Sequence, residues 1–428
     1  MHRVRKRDMA QLSLYGLALT MTSNTLDPAL LTAKVNQLVA NEDWRNTALG
    51  LVSFVGLLLA AVAQPVMGAL SDRSTSRWGR RIPFLVGGSL ANLVLLSLAV
   101  LAGDVWLLAI VILLIQLSSN AIQGAYQGLI PDQVPPEQHG VASGIKTLAE
   151  MPAVVVGPLV VGLILGIDGW SVTARALAAV GVVQVVYVVV ALVTLWRVQD
   201  PPRERPADPS PVWQTVRDTF RIDWRANHDL RWWLVNRALF WFALLTLRTF
   251  LINYVEQVIG LSPTEAQRLT GMLSSVLGVL VLVAVLPSGY IADRVGRRPV
   301  LMASGVVAAA GAFVLLAARS IPVMFGAGVL LGLGGGFFFT SSWALVTNLV
   351  PKGEEARYLG ITNLATAGGS AAARLTGPLI DGINRLFDSK TLGYMSVYAL
   401  GGVLLLLSSW AIGRVSESKS LLLDVKTD

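Results

Sequence analysis

The sequence predicts an all-α membrane protein: twelve transmembrane helices in two six-helix halves, with both termini in the cytoplasm. Three observations carry that prediction. Of the 428 residues 54% are hydrophobic and 14% charged, with a mean hydropathy of +0.62, which is more apolar surface than a water-soluble fold covers. Apolar runs of about 20 residues, the length a helix needs to cross a bilayer, recur along the whole chain. One short signature also occurs twice, about half the chain apart. Gly68-Ala69-Leu70-Ser71-Asp72-Arg73 closes with Gly79-Arg80-Arg81, and Gly289-Tyr290-Ile291-Ala292-Asp293-Arg294 closes with Gly296-Arg297-Arg298. Such a repeat, placed after an apolar run each time, marks a duplicated transporter-like layout.

The twelve segments fall at 11–33, 47–70, 84–102, 105–129, 141–166, 172–196, 231–256, 271–292, 300–318, 322–349, 358–384 and 391–413. They divide the chain into an N-terminal half (1–196), a cytoplasmic linker (197–230), a C-terminal half (231–413) and a cytoplasmic tail (414–428). The spans leave no room for a soluble ATP-hydrolysing domain, and no GxxxxGK[ST] phosphate loop occurs. The glycines Gly334, Gly335 and Gly336 sit inside the tenth segment, where close helix packing is their expected role. With no cysteine there is neither a disulfide framework nor a thiolate site. The three histidines, His2, His139 and His228, lie outside the apolar runs. No metal, no cofactor and no enzyme activity are expected.

The net charge of +8 would suit a nucleic-acid partner only if the cations formed a patch. They flank apolar runs instead, as membrane topology requires. With both termini inside, only Lys34, Arg45, Arg175, Arg268, Arg319, Arg385 and Lys390 fall on the outer side, which sets the orientation.

Taken in order, the segments differ in their polar content. The first follows Arg3, Arg5, Lys6 and Arg7 like a signal peptide, but it lacks a small-residue cleavage site and carries Asn24 and Asp27. It reads as a retained helix, with Pro28 freeing a backbone carbonyl and bending it. The second ends in the first signature loop, where Gly68 permits close helix approach. The fourth bears Gln116, Asn120, Gln123 and Gln127, which at about 100° per residue share one face within roughly 60°. Amides donate and accept, so this stripe suits sugar hydroxyls or ties helices together. The fifth carries Lys146 and Glu150 one turn apart. The third, sixth, ninth and twelfth have no charge in mid-span.

Between the halves, Pro201, Pro202, Pro206, Pro209 and Pro211 mark the linker. Val212, Trp213, Val216 and Phe220 then share a face, with Arg217 and Arg221 elsewhere; this is a short helix, either on the inner leaflet or solvated. The seventh segment holds Arg237, Trp241, Arg248 and Tyr254, the tenth Ser341, Ser342 and Trp343, and the eleventh Arg374 and Asp381. Ionisable groups within spans are costly unless they face a cavity or a partner, so these positions are functional candidates.

The duplicated G-x-x-x-D-R…G-R-R signature is similar to the hallmark loop of the major facilitator superfamily, and the twelve-segment, two-half layout agrees along the whole chain. A second echo supports this: Leu129-Ile130-Pro131-Asp132-Gln133-Val134-Pro135 recurs as Leu345-Val346-Thr347-Asn348-Leu349-Val350-Pro351. The longer first loop, Ser71 to Phe84, and the run Tyr126-Gln127-Gly128-Leu129-Ile130-Pro131-Asp132 resemble the glycoside-pentoside-hexuronide:cation symporters and the sucrose-type proton symporters. Sodium-using melibiose-type members carry acids one and five positions before the proline of P-x-M-G. Here Gln64 and Ala60 precede Pro65, which argues against sodium coupling at that site.

The resemblance implies alternating access, a cavity lined by segments 1, 4, 7 and 10, and gating by the loops Gly68, Asp72, Arg73, Gly79, Arg80, Arg81 and Gly289, Asp293, Arg294, Gly296, Arg297, Arg298. Asp72 ends a helix at its carbonyl pole, where a carboxylate is disfavoured, so nearby arginines or the N-terminus of an opposing helix must stabilise it.

The expected function is proton-coupled symport of a sugar or glycoside across the cell inner membrane. Alternatives are proton-linked export of amphipathic compounds, or a non-transporting receptor or lipid- or pigment-handling factor. Substrate candidates are Asn24, Asp27, Gln116, Asn120, Gln123, Gln127, Arg237 and Trp343. Proton-coupling candidates are Glu150 first and Asp27 second, with Lys146 and Arg374 as cations beside them. The expected partners are a small-molecule substrate, protons and the bilayer, with no nucleic acid; the oligomeric state is left open, a monomer included.

Overall fold

The computed structural model describes residues 4–197, 227–350 and 355–416, and among them every regular element is helical. The linker helix expected over 212–221 and the tail beyond 416 lie outside the described residues, as do the side chains of Asp27, Pro28, Asn348 and residues 351–360.

The first segment is not one smooth helix. Helix α1 (Lys6–Asn24) passes into a π-helical turn (Thr25–Leu30) and continues as α2 (Leu31–Leu38). Pro28 falls within that turn, and because proline has no amide to donate, the regular i→i−4 ladder gives way there. At the expected position of the bend the structure shows this π-helical turn. Long helices follow: α3 (Arg45–Arg73), α4 (Ile82–Leu101), α5 (Val105–Gln133), α6 (His139–Leu165) and α7 (Val172–Arg197). Helix α5 starts cleanly because the Asp104 carboxylate accepts from the amides of Trp106 and Leu107, both at 2.9 Å.

In the second half α8 (His228–Thr249) breaks at Phe250, and the short α9 (Leu251–Tyr254) runs into a second π-helical turn (Val255–Ile259). Then come α10 (Pro263–Val295), α11 (Arg297–Ala317), α12 (Ile321–Leu349), α13 (Glu355–Arg374), α14 (Thr376–Leu386) and α15 (Leu392–Ile412). Among the described residues nine helices are long and apolar enough to cross a bilayer, or ten if the pair bent by 54° at Phe250 is one span. The two remaining sequence segments, 11–33 and 358–384, correspond to helices interrupted at the first π turn and at Leu375.

The chain forms two compact units. One comprises Met1–Val216, Thr249–Ser275 and Arg374–Thr391; the other comprises Arg217–Arg248, Val276–Ala373 and Leu392–Asp428. The division passes close to the breaks at Phe250 and Leu375. In the first unit α3 packs on α5 and α14, α1 on α6, and α4 on α5 and α7. Helices α3 and α5 cross with backbones in contact: a Cβ at Gly124 would stand 2.7 Å from the Gly68 amide nitrogen. Gly68 therefore serves the close approach expected of it. In the second unit α11 packs on α12 and α15. There Gly334 and Gly336 lie directly against Ala308 and Ala284, so the glycine run is a packing surface.

Candidate functional site

The first signature loop is a dense charge cluster within the first unit. Arg81, just before α4, is the hub. Its guanidinium reaches Asp72 Oδ1 at 2.5 Å and Asp132 Oδ2 at 2.9 Å, and donates to Ser71 Oγ at 3.1 Å. Arg80 joins Asp132 at 2.6 Å. A side chain at Gly128 would collide with the Arg81 guanidinium, so the glycine of the Tyr126-Gln127-Gly128 run makes room for this hub. A nearby arginine, one of the two stabilising sources expected for Asp72, is in place. Asp132, the last residue of the Tyr126 to Asp132 run, is the acid that binds both arginines.

The second copy shares the backbone but not the chemistry. Gly79 and Gly296 both adopt positive φ, 98° and 102°, a region that favours glycine, so the turn is duplicated. Arg297 however donates to the Ala344 carbonyl and Arg298 to the Gly413 carbonyl. Arg294 lies over the Tyr290 ring at 4.1 Å. Asp293 is exposed and makes no ion pair with the described residues. Asp293 forms no bridge with these arginines among the described residues.

Glu150 on α6 is half-buried against α1 and α5. The Tyr126 hydroxyl lies 3.2 Å from Glu150 Oε1 and 3.1 Å from the Ser13 carbonyl oxygen. A Cβ at Gly16 would come within 2.6 Å of that hydroxyl and would overlap the Glu150 carboxylate, so Gly16 is the notch that admits both. The expected Lys146–Glu150 pair does not close. Lys146 Nζ sits over the Tyr126 ring, 4.8 Å from its centroid, and no ion pair links it to Glu150 among the described residues. Helical spacing puts the two on one face, but the aromatic ring from α5 captures the ammonium.

The amide stripe divides. Gln116 packs on α3 at Gly56, where a Cβ would meet its amide nitrogen at 3.4 Å. The Asn120 amide donates to the Gln116 carbonyl one turn earlier, at 2.8 Å. Gln123 is half-buried and Gln127 exposed, and neither has a hydrogen-bond partner among the described residues. Asn24 donates to the Ala153 carbonyl at 3.3 Å, joining α1 to α6. For Asp27 only the backbone, in the π turn, is described.

In the second unit, three helices converge on Arg237, which is 4% exposed. Its Nε donates to Thr366 Oγ1 at 2.7 Å and its Nη1 to Ser342 Oγ at 3.3 Å. The Trp233 and Trp343 rings flank the guanidinium at 5.3 and 5.1 Å. Beside it Phe240 stacks on Phe338 at 3.6 Å, and Trp241 packs on Phe339 at 5.3 Å.

A further network escaped the sequence reading. Buried Asp381 on α14 accepts from Asn46 Nδ2 at 2.8 Å, from the Thr47 amide at 2.6 Å and from Thr47 Oγ1 at 2.8 Å. Asn253 donates to Asn46 and Asn36 to Asn253, both at 2.9 Å. A carboxylate at the amino end of α3 is stabilised by the free amides and the dipole there. Arg374 ends α13, within hydrogen-bonding surroundings. The detectable signal was polar side chains at the edges of apolar runs, with nothing local to say that they meet.

A family model described as Major Facilitator Superfamily matches residues 11–373 and 266–421. The chain belongs to that superfamily. It is a multi-pass membrane transporter of small molecules and not an enzyme. A stretch of 118 residues is 30% identical to the minor myo-inositol transporter IolF of Bacillus subtilis, over 28% of this chain and 27% of that relative. The multidrug resistance protein MdtG of Citrobacter koseri is 25% identical over 68% of each chain. The solved nucleoside transporter NupG superposes with a TM-score of 0.74, covering 96% of this chain and 100% of NupG at 14% identity, which speaks for the superfamily fold alone.

Proposed function

We propose that this superfamily member is a proton-coupled symporter of a sugar, glycoside or polyol, working by alternating access in the cell inner membrane. In this reading it has twelve spans, the interrupted segments being the first, seventh and eleventh, and both termini are cytoplasmic. The halves are residues 1–196 and 231–413, and the signature loops gate the cytoplasmic side.

One observation carries the proton assignment: Glu150 and the Ser13 carbonyl share a single phenolic hydroxyl, that of Tyr126. A hydroxyl has one proton to donate. With Glu150 ionised, Tyr126 donates to the carboxylate. With Glu150 protonated, the carboxyl donates to the phenol oxygen, and Tyr126 turns its own proton to the Ser13 carbonyl on α1. Protonation thereby switches a contact between α5 and α1, the kind of two-state element through which ion binding biases a conformational equilibrium. Gln123, Gln127, Arg237 and Trp343 are the groups this reading assigns to substrate, with Asn24, Gln116 and Asn120 also serving helix contacts. Similarity to IolF supports a polyol-like substrate.

The test is Glu150→Gln in liposomes. Exchange of substrate between two loaded sides should persist, because it needs no net proton movement, while accumulation driven by an imposed pH difference should fall to background. Accumulation that survives would make Glu150 structural and pass the proposal to Asp27.

The match to MdtG over 68% of the chain favours a second reading, proton-linked export of amphipathic compounds. It predicts that inverted vesicles concentrate a lipophilic cation on acidification of the lumen, which a sugar symporter does not do.

A further inference from the structure

We propose that Arg237 is an oxyanion receptor: the transported molecule carries one carboxylate or phosphate group, which the Arg237 guanidinium holds beneath the Trp343 indole. The inference deepens the transport reading and rests on it.

Arg237 lies in the middle of α8, and 4% of its surface is exposed. A guanidinium presents five N–H donors. The described contacts occupy Nε and Nη1, with Thr366 and Ser342, and both acceptors are neutral hydroxyls. The remaining neighbours are two aromatic faces. Among the described residues no carboxylate pairs with Arg237. A buried charge without a counter-ion is costly in an apolar medium, and hydroxyls and ring quadrupoles offset only part of that cost. Asp381 in the other unit shows what a structural charge looks like: both of its oxygens are taken by an amide, a hydroxyl and a helix amide.

The geometry also selects what fits. Thr366 donates its own hydroxyl proton to the Thr362 carbonyl at 3.2 Å, so its oxygen is held as an acceptor and fixes the guanidinium plane. A fixed planar fork suits the two oxygens of a carboxylate or phosphate. Trp233 and Ser342 are buried, while Trp343 is 41% exposed. Trp343 is the most exposed of the side chains around Arg237, with Thr366 half-buried, so in this reading the substrate comes past that indole. A substrate with an oxyanion group and a ring body can engage Arg237 with one end and stack on Trp343 with the other.

The test uses the purified full chain and acid–neutral pairs: D-gluconate with D-sorbitol, myo-inositol 1-phosphate with myo-inositol, and benzoate with benzyl alcohol. Ligand-induced thermal shifts on the unmutated protein should show at least one acid binding about tenfold or more tighter than its neutral partner. The three arms separate carboxylate from phosphate and polyol from aryl bodies. Arg237→Lys keeps the charge but loses the fork. It should weaken the acid by about tenfold while moving the neutral partner by less than about twofold. The proposal is overturned if no acid outbinds its neutral partner, or if Arg237→Lys binds the acid as well as the parent does. Counterflow in liposomes keeps the two readings apart. An acid that binds at Arg237 without counterflow sinks the transport reading and leaves the receptor. Counterflow of neutral compounds alone sinks the receptor and leaves the transport reading.

Discussion

The two signature loops carry the same motif and the same left-handed glycine, yet among the described residues only the first shows arginine–aspartate pairs. In the first, Arg81 is 6% exposed and lies between Asp72 and Asp132, and Arg80 shares Asp132. In the second, Arg297 and Arg298 end on backbone carbonyls and Asp293 faces outward. The position that echoes Asp132 is Asn348 in the second copy. In the second copy the described contacts of the two arginines are backbone carbonyls, Ala344 inside α12 and Gly413 just past α15. The motif specifies the turn; the residue across from it decides whether the turn becomes a charge lock.

Substitutions at the three aspartates break this comparison in graded steps. The largest effect is expected at Asp132, whose carboxylate is 25% exposed and serves two arginines. Asp132→Asn should cost about 2 kcal/mol, less than for a fully buried pair because solvent screens part of it, read from unfolding in detergent. A loss below about 1 kcal/mol would make the two copies energetically equivalent. Asp72 is 51% exposed, so solvent screening reduces its share, and Asp72→Asn should cost about 1 kcal/mol or less. If it also acts as a latch, cysteines introduced on the cytoplasmic side of this naturally cysteine-free chain should label faster in the Asp72→Asn background. Unchanged labelling removes the gating role. Asp293→Asn should stay within about 0.5 kcal/mol of the parent, as expected for a surface position without partners. A larger loss would show that the second copy has a partner for its acid after all.

Much of the layout was legible in the sequence because it depends on local quantities. Run length and hydropathy mark spans, the duplicated glycines mark the turns, and Asp72 with its nearby arginines is a short-range cluster. Even the interruption at Pro28 follows from one missing amide. The candidate sites were legible only as residue types. Lys146 and Glu150 have the spacing of a pair, but Tyr126 from α5 stands between the possibilities and takes both. Gln116 and Asn120 share a face with Gln123, yet the first packs against Gly56 and the second satisfies its own helix. Asn36, Asn46, Asn253 and Asp381 form one network from three distant stretches of chain.

What the sequence by itself determined is therefore a membrane protein built of helices, internally duplicated, with polar groups at definite angular positions. Those properties follow from the 3.6-residue period and the thickness of the bilayer, which act on neighbours in the chain. Only the tertiary structure decided which acids meet which bases. Asp132 captured the arginines of the first loop, Asp381 capped α3, and Arg237 was enclosed by hydroxyls and indoles. A helix fixes the direction in which a side chain leaves it, but the group it meets belongs to another helix, and packing across the fold supplies that partner.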